Sequence, residues 1–141
     1  MKKILLLLIV WAMPFVLLAQ TDRKVDSNGV FQYQYSRTYA VNPDNESEML
    51  VTFVFVNGAQ PRAISLRQEV LESVVRWLEI PGGAAGHETV VEFVTANLEA
   101  GETVTWKYAI STRKGSCPLI PEQAALLVMH ENYGVEKVWL K

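Results

Sequence analysis

The side chains able to do covalent or metal chemistry are few and far apart. Cys117 is the only cysteine, and His87 and His130 are the only histidines. Each histidine is followed by glutamate, but the residues four positions on are Val91 and Gly134, so neither forms the H-E-x-x-H pair of a helical zinc site. Cys117 with His130, oriented by Glu131 or Asn132, would make a nucleophile and base. The surrounding "GSCPLIP" lacks the strand-to-helix elbow that exposes a nucleophile. "PGGAAGH" has glycines without the Lys or Ser/Thr of a phosphate loop and reads as a mobile connection. The acidic residues are scattered, so no carboxylate pair can be nominated for glycoside chemistry. We therefore assign no catalytic, cofactor-binding or metal-binding residue from sequence, and no cofactor. The thiol pair Cys117/His130 stands as the enzymatic alternative.

Aromatic residues offer a different chemistry, flat amphipathic faces for a binding partner. In "ETVTWKYAIST", Val104, Trp106, Tyr108 and Ile110 alternate with Thr103, Thr105, Lys107 and Ser111, which sends Trp106 and Tyr108 into a core. Trp139 and Tyr133, near the C-terminus, are the aromatics to test for exposure. A carbohydrate-binding module is the reading that depends on them.

What positions these residues is a chain with an export-like start. Lys2 and Lys3 precede the apolar run Ile4–Leu18, interrupted only by Pro14, and the small residue Ala19 precedes polar "QTDRK". This is the layout of a signal peptide cleaved between Ala19 and Gln20, and it resembles bacterial export signals. A run of 15 residues is short for a hydrocarbon core of roughly 30 Å. The expected organisation is a signal peptide at 1–19, a flexible polar leader at 20–29 and one domain at 30–141. Cleavage leaves 11 basic and 15 acidic side chains, a charge of −4 without a basic block. That argues against nucleic acid as a partner, and no stable membrane insertion is expected once the signal is gone. In an oxidising compartment a lone cysteine cannot close an internal disulfide, so stability must come from packing.

After the leader, apolar runs alternate with turn signals, the pattern of an antiparallel β domain. "VFQYQYSRTY" places Phe31, Tyr33 and Tyr35 on one face, and "MLVTFVFV" (Met49–Val56) is apolar on both, as a central strand is. "ETVVEFVT" (88–95) reads as a further strand. "AALLVMH" and "VEKVWLK" flank "ENYG" as a hairpin, although "AALLVMH" is also compatible with a short helix.

"ISLRQEVLESVVRWLEIPGG" is ambiguous. Leu66, Val70, Val74, Trp77 and Leu78 make an i, i+4 stripe; Ser65 and Gln68 fit a capping box, and Pro81-Gly82 a stop. Against that, Ile64 and Leu66 alternate with polar residues, as do Val74, Leu78 and Ile80 apart from Arg76.

Residues 33–112 resemble the Ig-like repeat domains of bacterial and archaeal surface proteins. The resemblance rests on Arg37 in "YSRTY", the strand "LVTFVFVNG", Glu69 in "ISLRQEV", Trp77, and "LEAGETVTWKYAI" with Leu98, Gly101, Glu102, Thr105 and Tyr108 in order. It departs where that pattern has "E-x-LP-x-G" and this chain has "EVLESVVRW". It implies an all-β fold, a single Ig-like antiparallel β-sandwich, with one strand ending near Glu69 and another from Val74 to Ile80. An α+β fold with a helix at 65–79 is the alternative. The resulting expectation is an exported, non-enzymatic Ig-like module, in the periplasm, at the cell surface or in the medium. Its expected partner is another exported or envelope protein.

Overall fold

A computed structural model describes residues 16–69, 73–112, 123–130 and 134–140. It is all-β, with ten strands in two five-stranded antiparallel sheets. Five strands, in spatial order, form sheet A: β1 (Val16–Val25), β2 (Phe31–Val41), β3 (Glu48–Asn57), β8 (Thr103–Thr112) and β5 (Ser73–Glu79). Sheet B runs β10 (Gly134–Leu140), β9 (Ala124–His130), β4 (Arg62–Glu69), β7 (Val91–Leu98) and β6 (Ala84–Glu88).

The core follows from period-2 alternation, because successive strand residues point to opposite faces. β2 turns Tyr33, Tyr35, Arg37 and Tyr39 inward, β3 turns Met49, Val51, Phe53 and Phe55 inward, and β8 contributes Val104, Trp106, Tyr108 and Ile110. Sheet B answers with Ile64, Leu66, Val94, Leu126 and Val128. Trp106 is fully buried, its ring 6.0 Å from that of Phe53, and its indole N–H donates to the Pro81 carbonyl at 3.2 Å.

The ambiguous stretch is two strands in different sheets. β4 lies between β7 and β9, whereas β5 is the edge strand beside β8. The chain changes sheet across 70–72, which lie outside the described residues. Leu66 is fully buried, and Val74 is 47% exposed, so the apparent helical stripe never faces one surface. Within β5 the inward side chains are Val75 and Trp77, packed on the core, and Val74 and Leu78 face out. The parity expected from Val74 and Leu78 is thus reversed.

Two segments differ from their sequence reading, and a third resolves a choice it left open. Gln20–Val25, expected in a flexible leader, belongs to β1 and pairs with β2. A polar edge strand is held by backbone hydrogen bonds and a few side-chain ties, so it needs no apolar period. Here the Tyr35 hydroxyl donates to Asp22 at 3.2 Å and Lys24 pairs with Glu136 at 3.3 Å. "PGGAAGH", expected as a mobile connection, supplies most of β6, which pairs with β7 through the turn at Thr89 and Val90. Gly86 permits this, because a Cβ there would stand 2.4 Å from the Phe93 ring. "AALLVMH" is strand β9, with Ala124, Leu126 and Val128 inward.

Candidate binding face and the buried polar network

One end of the sandwich holds a polar network that joins both sheets. Arg62 on β4 is buried and donates through Nε to His130 Nδ1 at 3.2 Å, through Nη1 to Asn57 Oδ1 at 2.9 Å, and to the Gln60 carbonyl at 3.2 Å. Because His130 Nδ1 accepts from arginine, the ring proton is on Nε2, which reaches Glu136 Oε2 at 3.3 Å. Glu136 Oε1 accepts from the Tyr33 hydroxyl at 3.0 Å and pairs with Lys24 at 3.3 Å. Asn57 Nδ2 donates to the carbonyls of Gln60 and Glu99 at 2.8 and 2.9 Å.

Burial, the Glu136 carboxylate and the hydrogen bond to it push the Tyr33 hydroxyl well above its ordinary value. Burial, then Asp22, takes Tyr35 up to about 12. Burial pushes Glu136 up, but the bonds from Tyr33, His130 and Lys24 outweigh it and hold the carboxyl below its ordinary 4.5. A folded-state value below the unfolded one stabilises above the unfolded value and is lost as pH falls through the folded one. The wild-type protein should therefore lose stability below about pH 4.5. Glu136→Gln should start about 1 kcal/mol less stable near neutrality and show a flatter acid limb. Urea unfolding midpoints measured from pH 7 to pH 3 check this.

The network is a clasp between sheets, since Asn57, Tyr33 and Lys24 of sheet A bond Arg62 and Glu136 of sheet B. Cys117, Glu131 and Asn132, the other members of the thiol alternative, lie outside the described residues, as does Tyr133. His87 is exposed on β6 and pairs with Glu92 at 2.8 Å. Register sets His130 opposite Arg62, and His87 opposite Glu92, which is opposite Gln68. The two histidines therefore sit at opposite ends of sheet B, six residues of β4 apart, or roughly 20 Å at the strand rise. Among the described residues no cluster of three or more His, Cys, Asp or Glu is placed to hold a metal ion.

The outer faces of the two sheets differ. On sheet A the outward positions of β2, β3, β8 and β5 carry Gln32, Gln34, Ser36, Thr38, Thr52, Thr103, Thr105, Lys107 and Arg76 among small and branched apolar residues, without an aromatic. On sheet B one cross-strand row runs Trp139, Ala125, Arg67, Phe93, Gly86 over all five strands. The adjoining rows bring Lys137, Leu127, Ser65 and Thr95, then Val135, Met129, Ala63 and Asn97.

Trp139 is 55% exposed and Val135 62%, both on edge strand β10. Lys137 Nζ lies 4.1 Å from the centre of the Trp139 ring, and the Arg67 guanidinium lies 5.6 Å from that of Phe93. Arg67 also pairs with Glu88 at 2.9 Å. Beside Trp139, buried Ala125 lies in the floor of a depression of about 340 Å³ bordered by Arg67, Leu127, Lys137 and Trp139. Three strand spacings separate Trp139 from Phe93, roughly 14 Å. Of the two aromatics singled out for testing, Trp139 is exposed. Phe93, Arg67 and Lys137 were invisible in sequence, because only register places them in one row.

No family model matches the chain, and no curated protein does. Among solved structures, it is similar to the chitin-binding domain of Chi18aC from Streptomyces coelicolor, at 13% identity over 64% of this chain and 87% of that one, with a TM-score of 0.44. It is also similar to the yeast GGA1 GAE domain, at 8% identity over 86% and 100%, TM-score 0.47. The GAE domain of GGA2p from Saccharomyces cerevisiae aligns at 10% identity over 86% and 94%, TM-score 0.44. At these scores the likenesses carry no argument about function, and the sandwich rests on the strand pairing described above.

Proposed function

We propose that this chain is an exported, non-enzymatic Ig-like module that binds another exported or envelope protein through the outer face of sheet B. The observation that carries the reading is the row Trp139, Ala125, Arg67, Phe93, Gly86, with Trp139 exposed on an edge strand beside exposed Val135. Trp and Arg are the side chains on which interface energy concentrates, and an apolar patch on a flat sheet with a charged rim is a protein-docking surface. The two cations lie over the two rings, which leaves ring edges and the neighbouring Leu127 and Val135 for contact. That arrangement suits side-chain packing from a protein better than stacking of a sugar ring on an open aromatic face. The signal-like start at residues 1–19 supports export and so a partner in the same compartment.

The test is capture of partners from the envelope and secreted fractions of the source cells by the tagged chain, its Trp139→Ser variant and its Gln34→Ser variant. Loss of an interface tryptophan costs about 2–4 kcal/mol, so the Trp139→Ser variant should retain its partner at least tenfold less. Gln34→Ser, on the outer face of sheet A, should bind as wild type does. Tryptophan fluorescence that responds to glycans, with no protein captured, would replace this reading with the carbohydrate-binding one.

A further inference from the structure

β1 straddles the expected cleavage point. Val16, Leu18 and Ala19 pair with Ala40, Tyr39 and Thr38 of β2, and Gln20 pairs with Arg37. Among the described side chains of β1, Asp22 ties to Tyr35, Lys24 to Glu136, and Arg23 lies over the Phe31 ring, all in the half that cleavage retains. Cleavage after Ala19 would remove the other half and leave the edge of β2 at Thr38–Ala40 without its strand. Unpaired strand edges are templates for a further strand.

We propose that export turns this edge of β2 into an acceptor for a short apolar strand donated by another exported polypeptide. The proposal rests on the export reading given above. The chain itself shows what the seat takes, since the extended segment that fills it has the uncharged sequence "VLLA" and runs antiparallel to β2. The seat is bounded at one end by Gln20, whose α-amino group becomes a new positive charge. A donor running in the same direction as Val16–Ala19 brings its C-terminal end to that ammonium, so a donor ending in a carboxylate fits best. A second copy fits poorly. Two-fold pairing of β2 edges about Tyr39 would bring the retained Gln20 end of each copy beside Val41 of the other.

The probe is a synthetic peptide with the sequence of residues 13–19, "MPFVLLA", bearing a free carboxylate. It should bind the chain beginning at Gln20 saturably and one to one, bind more weakly as the C-terminal amide, and fail to bind when Leu18 is replaced by Asp. The chain beginning at Met13 should not bind it, because its own residues fill the seat. Amides within Thr38–Ala40 should exchange on the order of tenfold faster in the Gln20 chain and regain protection with the peptide. Cleavage at Ala19 with no peptide binding and unchanged protection overturns the acceptor site alone. An exported protein whose mass retains residues 16–19 overturns the cleavage reading instead. Dimerisation of the Gln20 chain that excludes the peptide overturns it in favour of a second copy.

Discussion

Gly58→Ala should destabilise the domain by about 3 kcal/mol or more, the largest loss expected from removing no group at all. Gly58 is buried where three chain segments meet. Its N–H donates to the Gln32 carbonyl at 2.8 Å, and its own carbonyl accepts from Gly101 N–H at 2.7 Å. A Cβ at this position would stand 2.5 Å from the Gln32 oxygen and 2.7 Å from the Phe31 oxygen. Both are backbone atoms, so no side-chain rotation relieves the contact. Either β2 moves off or the loop from β3 to β4 does. The latter also carries Asn57, whose amide bonds help to set Arg62 in the network. Urea unfolding should show a lower midpoint with unchanged slope, as for a stability change without a change in surface exposed. Gly29→Ala is the control. Its φ of 79° is strained for alanine, but a Cβ there meets nothing within 4 Å, and its cost should be about 1 kcal/mol.

Gln68→Leu should act in the opposite direction. Gln68 is fully buried on β4, opposite Ala124 of β9 and Glu92 of β7, and neither its amide nitrogen nor its amide oxygen has a hydrogen-bond partner. A buried polar group left without a partner costs roughly 1–3 kcal/mol, and replacement by an apolar group of similar shape returns that cost. We expect a gain of about 1–2 kcal/mol, read as a higher thermal midpoint by calorimetry. Gln68→Glu should be worse than wild type at neutral pH, because a carboxylate would meet the same environment with a charge. A gain from Leu and a loss from Glu, in one set of thermal scans, would show that burial of the amide is the cause.

How much of this was legible in the sequence depends on where each strand finds its apolar contacts. β3 and β8 were legible, since "MLVTFVFV" is apolar on both faces and "ETVTWKYAIST" alternates without a break. β4 and β5 were legible only as a choice. Their apolar residues satisfy a helical stripe as well as two strands, and the sheet to which each belongs is a non-local fact. β1 and β6 were not legible. From Gln20 on, β1 is polar and held by pairing to β2, and β6 is built largely from small residues that let Phe93 lie against Gly86. The binding face was half visible. Trp139 stands out near a hairpin, whereas Arg67 and Phe93 join it only through the register of β9, β4 and β7. The clasp of Arg62, His130, Glu136 and Tyr33 brings together residues up to 103 positions apart, and nothing local marks them as partners.

The central claim is that the outer face of sheet B meets a protein partner after export. A photo-crosslinking side chain placed at Lys137 on that face, and separately at Gln34 on the outer face of sheet A, tests it in the cells that make the protein. Lys137 should give a discrete adduct of one partner mass that disappears when Trp139→Ser is added, and Gln34 should give none. Equal adducts from both faces, or none from Lys137 in a chain that is exported and folded, would contradict the account.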